Sequence, residues 1–121
     1  MKKLQLLLAI PVLLGCTSAS EEIRGRWKYE ALWTEKEDKH GMLEYARALH
    51  EGADLNFDDS ILAYMSGRDT INYFPYDITG DTMTVHTRGL DVQYTIEFSH
   101  EDTLLMRDSK EGFVLKLSRR R

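Results

Sequence analysis

From Gly25 onward, apolar and polar residues alternate along most of the chain. GRWKYEALWT puts Trp27, Tyr29, Ala31 and Trp33 on one face, with Arg26, Lys28 and Glu30 on the other. This is the period of a strand buried on one side. ADLNF repeats it with Ala53, Leu55 and Phe57, and ILAYM is a short apolar strand bounded by Asp-Asp-Ser and Ser-Gly. NYFPYDI carries Phe74, Tyr76 and Ile78 in phase, with Pro75 marking an irregular edge or a bulge. ITGDTMTVH turns at Thr79-Gly80-Asp81 and continues through Met83 and Val85. In LDVQYTIEF, Leu90, Val92, Tyr94, Ile96 and Phe98 all share one face. TLLMR follows the turn SHED, and GFVLKLSR ends the chain with Phe113, Leu115 and Leu117 in phase. The pattern predicts eight short strands joined mostly by short turns. A meander of that size is best stabilised by closing on itself, because closure removes both sheet edges.

One stretch breaks the alternation. In EDKHGMLEYARALHEG, Met42, Tyr45, Ala46 and Leu49 recur at helical spacing, Glu44 and Arg47 can pair on the outer face, and Gly52 is placed to stop the helix. The spacing predicts a helix over residues 42–51, between the first and second strands. The fold class is therefore all-β and mainly antiparallel, an eight-stranded up-and-down barrel with one short helix between strands 1 and 2. No internal repeat or second domain is visible.

The amino terminus reads differently. Lys2 and Lys3 precede LQLLLAIPVLL, a positive head followed by a short apolar run, which is the layout of an export signal. The run is shorter than the roughly 20 apolar residues that span a bilayer. The chain's single cysteine follows directly, in Leu13-Leu14-Gly15-Cys16. This tetrad resembles the lipobox of bacterial lipoproteins. The resemblance implies that the Cys16 thiolate takes a diacylglyceryl group, that residues 1–15 are cut away, and that the new amino group is acylated, commonly with palmitate. Two or three acyl chains hold a protein stably where one does not. Thr17, rather than Asp, after the cysteine implies the outer membrane in the sorting scheme of that family. Residues 16–24 are then expected to be the lipidated cysteine and a polar tether, and residues 25–121 the barrel domain.

Gly25-Arg26-Trp27 resembles the G-x-W of lipocalins and of shorter lipocalin-like bacterial lipoproteins. The long first connection, the hairpin from Tyr76 to Met83 and the closing apolar strand followed by arginine fit the same layout. The resemblance implies that Trp27 packs at the closed end of the barrel under Arg119, in a cation–π contact. An up-and-down topology places the chain start and the turns near 58–60, 79–81 and 99–102 at that closed end. The helix-bearing connection and the turns near 66–70, 87–89 and 107–112 form the mouth.

Charge narrows the partners. The chain has 16 basic and 20 acidic residues, and loss of Lys2 and Lys3 with the leader leaves 14 basic residues. That balance argues against nucleic acid as a partner. Catalytic signatures are missing: there is no G-x-S-x-G, H-E-x-x-H, phosphate loop or C-x-x-C. His40, His50, His86 and His100 stand in four separate places without ligand spacing, so no metal and no cofactor is expected. Asp58-Asp59 and Glu101-Asp102 fall in turns, where acids are common. Arg119-Arg120-Arg121 could touch anionic lipid. The membrane, through the lipid on Cys16, is the first expected partner.

Two functions remain. One is an accessory or protein-interaction module of the cell envelope, using the helix and the charged turns SGRDT, TRG and RDSKEG. The other is a binder of a small apolar ligand. Its pocket would be lined by Trp33, Leu55, Tyr73, Val92 and Phe113 and capped by Met42, Tyr45 and Leu49. The oligomeric state is left open by the sequence.

Overall fold

The computed structural model describes residues 18–38, 40–100, 102–108 and 110–120. The leader, the tetrad ending in Cys16, and Arg121 lie outside the described residues. Eight strands form: β1 Gly25–Thr34, β2 Asp54–Phe57, β3 Ile61–Ser66, β4 Asp69–Thr79, β5 Thr82–Thr87, β6 Leu90–Phe98, β7 Thr103–Arg107 and β8 Phe113–Arg119. Each pairs antiparallel with the next, and β8 closes on β1, giving a complete up-and-down barrel. A helix of one turn, α1 (Ala19–Glu22), precedes β1, and α2 (Leu43–His50) lies between β1 and β2. The all-β barrel and the helix in its first connection are thus as the alternation predicts. The span from Ser18 to Arg120 carries every strand pairing and a continuous core.

That core is built from the inward residues Trp27, Leu55, Phe57, Leu62, Tyr76, Met83, Ile96, Leu104, Met106 and Leu117, all buried. At the closed end the Arg119 guanidinium lies over the Trp27 ring, with Cζ 4.2 Å from its centroid. Arg119 also donates to the carbonyls of Glu22 (2.7 Å) and Arg24 (3.0 Å), while Trp27 Nε1 donates to the Ile23 carbonyl (2.7 Å). Gly25 sits at φ +118°, and a Cβ there would stand 3.4 Å from the Arg119 guanidinium. Only glycine adopts that backbone at low cost. The G-x-W thus places a glycine where the chain must turn into the barrel beneath the arginine.

Three expectations need correction. First, residues 18–24 are not a free tether. Ser18 caps α1 by accepting from the Glu21 N–H, and Ile23 is fully buried in the core with Ala19 packed beside it. Apolar burial of Ile23 outweighs the polarity of SASEE. Counted along the sequence, Thr17 alone separates Cys16 from this plug.

Second, Trp33 does not point inward. The β1–β8 pairing runs Tyr29 with Leu117 and then Ala31 with Lys116, so Glu30 is a bulge and the phase reverses after it. Leu32, opposite Leu115, enters the core; Trp33 is outside it, opposite Val114.

Third, Tyr73 lies outside the barrel at 64% exposure, because Phe74, Tyr76 and Ile78 hold the inward phase of β4. A second bulge, at Ile71, falls where the pairing passes from Tyr64–Asn72 to Met65–Thr70.

Candidate functional site: the barrel mouth

The closed half of the barrel is filled, and the mouth half is not. A cavity of about 330 Å³ opens under one side of α2, bounded by β3, β4, β5 and β6. Its walls are Leu49 and His50 of α2, Ala53, Tyr64 of β3, Ile71, Asn72 and Phe74 of β4, Val85 and Thr87 of β5, and Val92 and Tyr94 of β6. Opposite, Leu32, Met106 and Leu115 are buried in the core, with the half-buried Phe113 packed against it. Small-ligand pockets begin near 300 Å³, so the space suits a compact molecule. The bulge at Ile71 contributes directly: with one residue left unpaired, both Ile71 and Asn72 face the cavity.

α2 sets the cavity's roof. Its start is fixed by Asp38, whose carboxylate accepts from the Met42 (2.9 Å) and Leu43 (3.1 Å) N–H groups. That satisfies the unpaired donors of the first turn. Its rotation is fixed by Arg47, whose Nε donates to the Leu32 carbonyl at 2.9 Å. As a result Leu43, Ala46 and His50 face the barrel. Of the face expected to cap the pocket, Met42 and Tyr45 are turned away from it, at 44% and 59% exposure, and only Leu49, at 59% exposure, reaches the cavity's edge. Both faces are partly apolar, so spacing alone did not choose between them. Tertiary hydrogen bonding did.

The expected ligand residues therefore scatter. Leu49 and Val92 line the cavity. Leu55 is buried deeper, in the filled core. Met42 and Phe113 line a different groove, with Lys36, Glu37, Asp38, His40, Lys110 and Glu111. Tyr45 is at the outer side of α2, and Trp33 and Tyr73 are on the outer wall. The sequence reasoning missed Tyr64, Phe74, Tyr94, Asn72 and His50. The first three were on inward-phase positions of their strands, and His50 stands four residues after Ala46, so their signals were present.

Aromatic rings order the cavity floor. His50 stacks on Tyr29 (centroids 6.1 Å apart) and meets Tyr64 at 5.6 Å; Tyr64 meets Phe74 edge-on at 6.1 Å. Burial pushes the Tyr64 phenol far above its usual titration, with the Tyr94 phenol adding to the effect. Burial likewise raises Tyr94, to about 12, helped by the Asp108 carboxylate. Both therefore stay neutral donors at any physiological pH. Among the described residues neither hydroxyl has a hydrogen-bond partner, which leaves both available to a ligand. Among the described residues, no Asp, Glu, Lys or Arg lines the cavity.

The outer wall holds two further clusters. Asp54 accepts from Arg26 Nε (2.6 Å) and from Arg120 Nε and Nη2 (2.7 and 3.3 Å), tying β2, β1 and the chain end across the seam. His86 has Nε2 2.7 Å from Asp77 and Nδ1 2.9 Å from Asp91. Carboxylates only accept, so both ring nitrogens donate and the two hydrogen bonds, to Asp77 first and then Asp91, raise the His86 pKa. Among the described residues no group of three His, Cys, Asp or Glu is arranged to hold a metal ion.

In comparison with known proteins, no family model matches the chain, and neither a curated protein nor a solved structure does.

Proposed function

We propose that this chain is a lipid-anchored protein of the bacterial cell envelope, most simply of the outer membrane, that carries a small apolar ligand in the mouth of its barrel and performs no chemistry on it. One observation carries the ligand reading: a cavity of about 330 Å³ with uncharged walls in the half of the barrel away from the plug. A barrel of eight strands is narrow enough to be filled by its own side chains. This one is filled at the closed half and open at the other. The anchor rests on the sequence alone, through the leader and Leu13-Leu14-Gly15-Cys16.

The test is binding of a neutral fluorescent probe, N-phenyl-1-naphthylamine, to the chain from Thr17 onward, paired with native mass spectrometry of that chain purified from envelope extract. A saturable probe signal, or a co-purifying small mass, supports the reading. Val92→Trp fills the cavity from β6 and is expected to abolish both while leaving the melting temperature nearly unchanged. Probe binding that survives the filled cavity counts against it.

A second reading is favoured by a separate observation. Met42, Tyr45, Leu49, Ile71, Tyr73 and Leu90 are the exposed large apolar side chains among the described residues, and all stand towards the mouth end. Such a rim also suits an accessory module docking on an envelope protein. A photo-crosslinking residue at position 45 that captures one envelope protein, with a cavity empty of ligand, would favour that role.

A further inference from the structure

The polar groups of the cavity are few, and their chemistry is asymmetric. His50 Nδ1 lies 2.9 Å from the Ala46 carbonyl oxygen. A carbonyl only accepts, so Nδ1 carries the hydrogen, and the neutral ring presents Nε2 as a lone-pair acceptor. The ring stacks on Tyr29 and meets Tyr64 at a tilt, so with the Ala46 hydrogen bond its orientation is set before any ligand arrives. Among the described residues Nε2 has no donor. The same cavity is lined by two neutral phenols, Tyr64 and Tyr94, and by the side chains of Asn72 and Thr87.

We propose that the ligand is a neutral, flat aromatic or polyene-like molecule bearing a hydroxyl or N–H group, and that His50 Nε2 selects it by accepting that hydrogen. This rests on the cavity being a ligand site. Three features argue for this class. Among the described residues the walls hold no charged side chain, so an ion would enter without a counter-charge, which is costly in an apolar space. His50 Nε2 is open to water while the cavity is empty; a ligand that covers it without donating a hydrogen bond strips that water and leaves the acceptor unpaired, so a site of this kind discriminates against analogues lacking the donor. Tyr64, Phe74 and Tyr94 offer ring faces and edges that pair well with flat π systems. The volume of about 330 Å³ suits a molecule of two or three fused rings.

The test compares three probes of one shape on the chain from Thr17 onward, by isothermal titration or equilibrium dialysis: 2-naphthol, naphthalene and 2-naphthoate. One added hydrogen bond in such a site corresponds to about tenfold in affinity. 2-Naphthol is expected to bind about tenfold more tightly than naphthalene, and 2-naphthoate more weakly than either. His50→Phe keeps a ring against Tyr29 and Tyr64 but removes the acceptor. It should bring 2-naphthol down to the affinity of naphthalene and leave naphthalene unchanged. Equal binding of naphthol and naphthalene, or tightest binding of naphthoate, overturns the selection by His50 and leaves the cavity as a ligand site. No binding of any of the three overturns the cavity reading, and this inference with it.

Discussion

Asp54 is the one buried charged side chain among the described residues, and the barrel seam is built around it. Substitution by Asn keeps its shape and removes its charge. In the wild type the carboxylate accepts three hydrogen bonds from two guanidinium groups, at 2.6, 2.7 and 3.3 Å. Hydrogen bonds to charged groups contribute roughly 1.5–3 kcal/mol each, but Arg120 is half exposed and can turn to water when its partner is lost. The net cost of Asp54→Asn is therefore about 2 kcal/mol, below the roughly 3–5 kcal/mol of breaking a fully buried ion pair, because both arginines keep access to water. For a domain of this size that lowers the melting temperature by about 10 °C.

The pH dependence gives an independent check. Burial alone would raise the Asp54 pKa, but hydrogen bonds and charge from Arg120 and Arg26 more than offset it and hold the carboxyl below its ordinary value. The folded state thus binds this proton more weakly than the unfolded chain. Its contribution to stability is fully present above the ordinary carboxylate range and is lost as pH falls through the folded pKa. The wild type should consequently lead the variant by the full difference at pH 7, and the gap should narrow steadily below about pH 5. Calorimetry of both proteins from pH 7 to pH 3 reads this directly. A variant that melts within a degree or two of wild type at pH 7, or a gap that stays constant with pH, would refute the seam argument.

Ile23→Ala should cost about 2–4 kcal/mol in denaturant unfolding, as for a core aliphatic residue; a tether residue would cost nothing measurable. Arg119→Lys should recover only a small part of what Arg119→Ala loses. An ammonium cannot lie flat on Trp27 while donating to both Glu22 and Arg24 carbonyls; full recovery in a thermal melt would argue against the stacked geometry. Gly25→Ala should destabilise by about 1–3 kcal/mol through its backbone conformation, measurable as a lower denaturant midpoint with an unchanged slope. His86 should titrate above its ordinary value by NMR, and Asp77→Asn should move it down. Its pairing favours the folded state at pH values below the ordinary histidine range, and that contribution fades as pH rises through the folded pKa.

How far the sequence disclosed this molecule depends on which residues are asked. Strands such as LDVQYTIEF were legible because one face is apolar and the other is not, and β6 follows that pattern from Val92 to Phe98. The bulge at Glu30 was not, because Ala31-Leu32-Trp33 is a run of three apolar residues on which either phase is tenable. That run was itself the signal, since a clean alternation would have held a polar residue at position 32. The plug was hidden by composition: Ser18-Ala-Ser-Glu21 reads as polar linker unless Ser18 and Glu21 are recognised as the S-x-x-E of a helix start followed by a lone isoleucine. At the mouth, the helix itself was predictable, but its rotation was set by Arg47 reaching the Leu32 carbonyl, a contact between residues 15 apart in sequence. Of the site residues on the strands, Phe74, Val92 and Tyr94 followed from phase, while Ile71 and Asn72 depended on a bulge; those on the helix required that rotation.

The helix α2 has no buried residue, and its contacts with the barrel are chiefly with β1. Every barrel strand, by contrast, is hydrogen-bonded on both sides. The free energy needed to lift α2 is accordingly far below that needed to open any strand, and amide hydrogens of residues 43–50 should exchange orders of magnitude faster than those of β6 or β8. Traffic through the mouth would then be timed by a local fluctuation of one helix. The residence time of anything inside could be tuned by changing Arg47 or Asp38, which hold the helix and do not themselves line the cavity.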